Sequence, residues 1–139
     1  MRKENTMKKL RFLSFICPVI ALICEILPYG AVLNFWNPEG EPFRETYSYF
    51  NLTPFGYANS APLITAILTC IIIVVTVIFL IKPKRTAAKA LAVLSLITYV
   101  ISLMPLLFGI SFFSIVGGII STALAANTVL MFCMCKTDF

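Results

Sequence analysis

The residue of this chain best suited to chemistry is Glu25, which stands in the segment CEILPYG inside the first long apolar stretch. A charged side chain such as Asp or Lys at the centre of a membrane helix costs about 2.5–3.5 kcal/mol, so an ionisable group retained there is a functional candidate. Counting along helices at ~1.5 Å per residue places Thr69, Ser102 and Gly118 near its depth, and Tyr99 about a turn deeper. No basic residue lies at that depth, so burial favours the neutral acid.

Glu25 has two interpretations. Pro28 cannot donate to the carbonyl of Cys24, which frees a backbone acceptor beside the carboxyl group. A neutral Glu25 would then staple a kinked helix, by donating to that carbonyl or to a hydroxyl across the bundle. In the other interpretation Glu25 handles protons or cations, with Thr69, Tyr99 and Ser102 as further candidate members of the site.

Other reactive templates are missing from the sequence. It contains no histidine, no HExxH motif, no glycine-rich phosphate loop and no Ser-His-Asp set. Its five cysteines lie within or beside apolar stretches, which is typical of small buried residues. The sequence therefore predicts neither an enzyme nor a cofactor or metal site.

The composition indicates a membrane protein. Of the 139 residues 60% are hydrophobic and 12% are charged, and the mean hydropathy is +0.95. Soluble domains have roughly 45–50% apolar and about 25% charged residues. A chain of this length cannot bury so much apolar surface in its own core, so the bilayer is the predicted partner. The basic residues flank apolar runs and form no patch with aromatics, which argues against nucleic acid.

The apolar residues form four stretches of about 20 residues, the length needed to cross a hydrocarbon core of ~30 Å. They cover residues 12–33, 62–81, 90–108 and 112–135. The predicted fold is therefore an all-α integral membrane protein, a four-transmembrane-helix bundle that forms one domain over residues 1–139.

The basic residues predict the orientation in the membrane. All of them except Arg44 stand in the two termini or in the loop between the second and third spans. Cytoplasmic loops of membrane proteins are enriched in Lys and Arg. Both termini are therefore expected in the cytoplasm, and the protein is expected in the plasma membrane as a multi-pass protein.

Small residues mark one face of the first helix and two rows of the fourth. Ser14, Pro18, Ala21, Glu25 and Pro28 share a face of the first helix, which should point Glu25 into the bundle. The rows of the fourth helix repeat every four residues and comprise Ser114, Gly118, Thr122 and Ala126, and Gly117, Ser121 and Ala125. Such rows allow close backbone approach. Packing within the bundle and dimerisation through this face both remain open, and Gly118 is expected to be at the contact.

The loop over residues 34–60 is the larger, aromatic, extracytoplasmic one. Asn37–Gly40, NPEG, suits a type I turn, and its flanks favour a short β-hairpin. The loop's aromatic surface includes Trp36, Tyr47, Tyr49, Phe50, Phe55 and Tyr57. These side chains are typical of an interfacial aromatic belt, or they form a binding surface.

Two resemblances bear on function. The four-span outline with a larger first outer loop resembles the claudins, although the loop here has Trp36 and no cysteine pair. A carboxylate in the first of four helices is similar to the small multidrug-resistance exporters; Glu25 alone carries this resemblance, which implies that it takes up protons and cationic substrate in turn. The predicted function is that of a non-enzymatic membrane component acting through a membrane protein partner or a homo-oligomer. The alternative is a small proton-coupled transporter or exporter that uses Glu25.

Overall fold

The computed structural model describes residues 2–52 and 57–136, with side chains for residues 5–52 and 59–136. Within these ranges the protein has four α-helices and one two-stranded antiparallel hairpin. The elements are α1 (Arg2–Ile26), β1 (Ala31–Trp36), β2 (Pro42–Tyr47), α2 (Tyr57–Ile81), α3 (Arg85–Ser102) and α4 (Ile115–Cys135). Two short 3-10 helices, Met104–Phe108 and Ile110–Phe112, connect α3 to α4.

The four helices form a closed bundle in which each contacts two others. α1 packs against α2 and α4, and α3 packs against the same two helices. Near the hairpin the core contains Ala21, Ala66, Ile120 and Leu124, all fully buried. At the opposite end it comprises larger apolar side chains, among them Ile72, Phe79, Leu91, Met131 and Met134. Small residues near the hairpin bring the helix backbones close together.

Three of the described helical segments are long and apolar enough to cross a membrane. They are Asn59–Ile81, Arg85–Phe108 and Ile115–Cys135. These segments correspond to the predicted spans over residues 62–81, 90–108 and 112–135. Most of the side chains that these helices direct outward are apolar, as lipid requires.

The predicted first span over residues 12–33 is wrong at its outer end. α1 stops at Ile26, a turn containing Pro28 follows, and residues 31–33 belong to β1. Proline interrupts the backbone hydrogen bonding of a helix, and the buried Val32 and Leu33 are equally suited to a strand. The apolar part of α1, from Phe12 to Ile26, is therefore about 22 Å long at ~1.5 Å per residue.

The predicted hairpin is confirmed. β1 and β2 pair from Ala31 opposite Tyr47 to Trp36 opposite Pro42. The Gly40 amide donates to the Asn37 carbonyl at 2.9 Å, and the Asn37 side chain accepts from the Glu41 amide at 2.7 Å. Gly40 has a φ of 83°, which glycine adopts without steric cost. The turn residues thus account for the register of the strands.

Candidate functional site

The candidate site lies where α1 ends and the chain returns from the hairpin. The carbonyl oxygen of Glu25 accepts from the Tyr49 amide at 2.9 Å and from the Ser48 hydroxyl at 3.0 Å. The last carbonyls of a helix have no partners within the helix, so they need donors from elsewhere. Residues 48 and 49 supply two of these donors and fasten the hairpin to the end of α1.

The side chain of Glu25 lies in the interior with no exposed surface. Its Oε1 lies 2.8 Å from Thr69 Oγ1 of α2, within hydrogen-bond distance. Its Oε2 is buried and has no hydrogen-bond partner within the described part of the chain. Ser14, Pro18 and Ala21 are buried on the same face of α1, so the spacing of small residues indicated the correct orientation.

The Thr69 hydroxyl faces two acceptors. Besides Glu25 Oε1 it lies 2.9 Å from the carbonyl oxygen of Thr65, one turn earlier in α2. A threonine hydroxyl has one proton to donate and two lone pairs to accept with. The number of protons at this contact therefore decides which of the two groups donates to the other.

The proposed role of Pro28 in a kinked helix is wrong, because Pro28 lies beyond the end of α1 and is exposed. The carbonyl that receives extra donors belongs to Glu25 and not to Cys24.

Tyr99 and Ser102 were also predicted to lie beside Glu25, and the structure places their polar groups elsewhere. Ser102 Oγ lies 2.6 Å from the Tyr99 carbonyl and 2.8 Å from Ser121 Oγ, so it joins α3 to α4. Of the predicted hydroxyl partners, the structure brings Thr69 to the carboxyl group.

Tyr49 is a buried part of the site, whereas the sequence suggested that it is part of the loop surface. It is only 2% exposed. The Tyr49 ring lies so close to Gly30 that a Cβ on that glycine would stand 2.8 Å from two ring carbons. The Tyr49 hydroxyl reaches toward Gly117. Burial, followed by the nearby Glu25 carboxyl group, raises the pKa of Tyr49 above its ordinary value. Tyr49 therefore connects α1, the hairpin and α4.

The base of the hairpin is fastened to the start of α4. Ser114 Oγ accepts from the Gly117 amide at 2.8 Å as the N-cap of α4, and it donates to the Gly30 carbonyl at 2.6 Å. N-caps of this kind satisfy otherwise unpaired amides at the start of a helix. The hydroxyl thus links the turn after α1 to α4.

The upper part of the hairpin is held by the connection between α3 and α4. The guanidinium of Arg44 donates to the Phe113 carbonyl at 3.1 Å. The amide of Asn34, opposite Arg44 in the register, donates to Ser111 Oγ at 3.4 Å. The hairpin is therefore fixed along one of its faces.

The outer part of the hairpin presents aromatic side chains. Trp36 is 73% exposed, and Phe43, which stacks on Phe35, is also exposed. Phe50 is exposed and Tyr47 is half-buried; the hydrogen bond that the Tyr47 hydroxyl donates to Glu45 raises the pKa of that hydroxyl. Of the predicted loop surface, Phe55 and the side chain of Tyr57 lie outside the described residues.

The two rows of small residues on α4 differ in burial. Gly117 and Ser121 are buried and Ala125 is half-buried beside α3. Gly118, Thr122 and Ala126 instead line an outward groove of about 480 Å³, together with Cys17 and Ile20 of α1.

Gly118 makes no close helix contact within the described part of the bundle, and its contact with a second copy stays a prediction. A Cβ at Gly118 would meet only Phe113, at an ordinary 3.7 Å. At Gly117 a Cβ would stand 3.2 Å from Ser114 Oγ and 3.3 Å from the Tyr49 hydroxyl, so close packing involves this glycine.

A second buried polar pair escaped the sequence analysis. Asn127 Nδ2 of α4 donates to Ser95 Oγ of α3 at 2.9 Å, and both side chains are fully buried. Asn127 Oδ1 and the Thr76 hydroxyl of α2 are buried without a hydrogen-bond partner in the described residues. The sequence did contain a signal for this pair, since Asn127 is an amide inside an apolar span.

Within residues 5–52 and 59–136, no group of three or more histidine, cysteine, aspartate or glutamate side chains is arranged to hold a metal ion. The chemistry available at the site is therefore that of one buried carboxyl group, its hydroxyl partner and the aromatic residue that covers the end of α1. Comparison of the chain with protein-family models, with curated proteins and with solved structures finds no match to any of them.

Proposed function

We propose that the protein is a four-span component of the plasma membrane with both termini in the cytoplasm. In this proposal α1 crosses the membrane in addition to the three long segments. Its apolar part is short, and the buried residues 31–33 of β1 extend it. The protein catalyses no reaction and acts by binding a membrane protein partner, or a second copy of itself, through the outer hairpin.

The observation that carries this proposal is the exposure of Trp36 on a hairpin that is itself fixed. Trp36 is 73% exposed, while Arg44 and Asn34 on the same face of the hairpin are bonded to residues 113 and 111. Tryptophan and tyrosine are enriched in the parts of interfaces that contribute most binding energy. An aromatic side chain on a fixed support also loses little conformational entropy when it binds.

The test is photo-crosslinking in native membranes, with p-benzoylphenylalanine introduced at position 36. Val74, which is exposed in the middle of α2, provides the lipid-facing control position. We expect a discrete protein adduct from position 36 and none from position 74, and co-expression of a differently tagged copy identifies self-association. Adducts to lipid alone at position 36 would contradict the proposal and would favour an interfacial aromatic belt.

A second candidate function, proton-coupled transport, is favoured by the buried and unpartnered Oε2 of Glu25. Ionisable residues inside membrane spans mark proton and ion pathways when they face the bundle interior. In this proposal Glu25 takes up and releases a proton as the substrate crosses.

Reconstitution into liposomes with an internal pH-sensitive dye tests the second candidate. Glu25→Gln removes the titratable group and keeps its shape, and Glu45→Gln, at an exposed carboxylate, is the matched control. Proton flux that is lost only in Glu25→Gln supports transport. Absence of flux in the wild-type protein across cationic test substrates contradicts it.

A further inference from the structure

We infer that Glu25 holds an exchangeable proton, which its carboxyl group donates from Oε1 to Thr69 Oγ1, and that the docked Tyr49 segment covers this proton-binding site. The inference rests on the second candidate function in that it concerns the same carboxyl group. It does not require that protons cross the membrane.

The first step is a count of protons at Thr69. Its hydroxyl lies 2.9 Å from the carbonyl one turn earlier, which is the bond that four other threonine hydroxyls make in these helices. Thr65, Thr98, Thr122 and Thr128 each donate to the carbonyl four residues before them at 2.8 Å. If the Thr69 proton serves the Thr65 carbonyl in the same way, the 2.8 Å contact with Glu25 Oε1 needs a second proton. The carboxyl group is the group there that can supply it.

The second step concerns Glu25 Oε2, which has no hydrogen-bond partner among the residues that the structure describes. In the protonated acid this atom is a neutral carbonyl oxygen, whose burial without a hydrogen bond has a modest cost. In the carboxylate it shares a full negative charge, and burying an unpaired charge costs far more. The missing partner is therefore compatible with the acid and unfavourable for the anion.

The third step is the cover over the site. The Tyr49 amide is bonded to the Glu25 carbonyl, and the Tyr49 ring fills the space beside Gly30. Glu25 has no exposed surface while this segment is docked. Water that accepts its proton from the outer side therefore reaches the carboxyl group when residues 48 and 49 lift.

The titratable groups described here beside Glu25 supply no positive charge that would balance its carboxylate after the proton has left. Tyr49 of the returning segment and Cys70 of α2 interact electrostatically with it, and both are neutral when protonated. Loss of the proton thus leaves an anion that gains stability by becoming hydrated. Because linkage is reciprocal, deprotonation favours the lifted segment and docking favours the proton.

Infrared spectroscopy of the purified protein in an ester-free detergent tests the proton directly. At neutral pH we expect a protonated carboxyl C=O band from Glu25. The band should disappear in Glu25→Gln. In Thr69→Val, which removes the acceptor, it should shift to higher frequency, whereas in Thr65→Val it should stay unchanged.

Hydrogen exchange at the Tyr49 amide tests the cover. The ratio of the wild-type exchange rate to that of Glu25→Gln should rise at least about tenfold from neutral to alkaline pH, because only the wild type can lose the proton.

Absence of the protonated carboxyl C=O band at neutral pH would overturn the inference. A ratio of exchange rates that stays constant with pH would overturn it as well. If Glu25→Gln fails to fold, the Thr69→Val and Thr65→Val spectra still decide where the proton lies. A protonated band without transmembrane flux would refute transport and leave the inference standing.

Discussion

The ring of Tyr49 occupies the position that a side chain at Gly30 would need. A Cβ at Gly30 would stand 2.8 Å from Cδ1 and from Cε1 of the ring, a separation that nonbonded carbon atoms do not tolerate. The two residues lie on either side of the hairpin, at the points where it leaves and rejoins the bundle. Their contact therefore contributes to the docking of the hairpin.

Gly30→Ala should destabilise the protein by about 1–3 kcal/mol, the usual cost of overpacking a filled site. Because the added methyl group displaces Tyr49, protection of the hairpin amides should fall as well. Thermal unfolding in mild detergent measures the first effect, and hydrogen exchange measures the second.

Gly118→Ala is the matched control for this substitution. Its Cβ has room, and alanine is more favourable than glycine within a helix by roughly 0.5–1 kcal/mol. We expect this variant to be at least as stable as the wild type. Equal loss of stability in the two variants would contradict the packing described for both glycines.

Thr69→Val should cost about 1–3 kcal/mol, because it leaves both oxygens of the buried Glu25 without a partner. Thr65→Val, one turn away, removes only a bond to the Ala61 carbonyl and should cost less. Chemical unfolding of the two variants in the same detergent gives the comparison. Indistinguishable losses would mean that the contact between Thr69 and Glu25 contributes nothing to stability.

Ser95 and Asn127 should show a measurable coupling energy in a double-mutant cycle. Hydrogen bonds between helices of a membrane protein average ~0.6 kcal/mol in such cycles and reach ~1.7 kcal/mol. The 2.9 Å bond between two fully buried side chains should lie in the upper half of that range. A cycle of Ser95→Ala with Asn127→Ala measures it, and additivity of the two losses would argue against the bond.

The proposed orientation predicts which positions are accessible from outside the cell. In a cysteine-free background, Asn37→Cys should react with a membrane-impermeant thiol reagent, whereas Lys84→Cys should react only after the membrane is permeabilised. The reason is the concentration of basic residues on the face that contains Lys84. Labelling of position 84 in intact cells would reverse or abolish the proposed topology.

Local signals in the sequence predicted much of this fold. Apolar length predicted the three long segments, and the turn NPEG with its flanks predicted the hairpin. The spacing of small residues placed Glu25 inside, because side chains three and four positions apart share a helix face. These features depend on residues that are close together in the chain.

The features that the sequence did not predict depend on distant contacts. Hydropathy does not distinguish a helix from a buried strand, so the end of α1 at Ile26 was missed. Tyr49 resembled its exposed aromatic neighbours, and its burial results from packing against Gly30 and reaching toward Gly117 of α4. Which of the three candidate hydroxyl-bearing residues meets Glu25 likewise depends on how the helices rotate against one another.

The contact between Ser114 and Gly30 joins residues 84 positions apart, and that between Arg44 and Phe113 joins residues 69 apart. A chain is synthesised from its N-terminus, so the strands of the hairpin can pair long before the residues that hold them exist. Until the connection after α3 and the start of α4 have been made, β1 and Tyr49 lack part of their final covering and are open to misassembly or to a chaperone. Folding of this protein is therefore completed at the hairpin end, once the helix that is made after the other three has docked there.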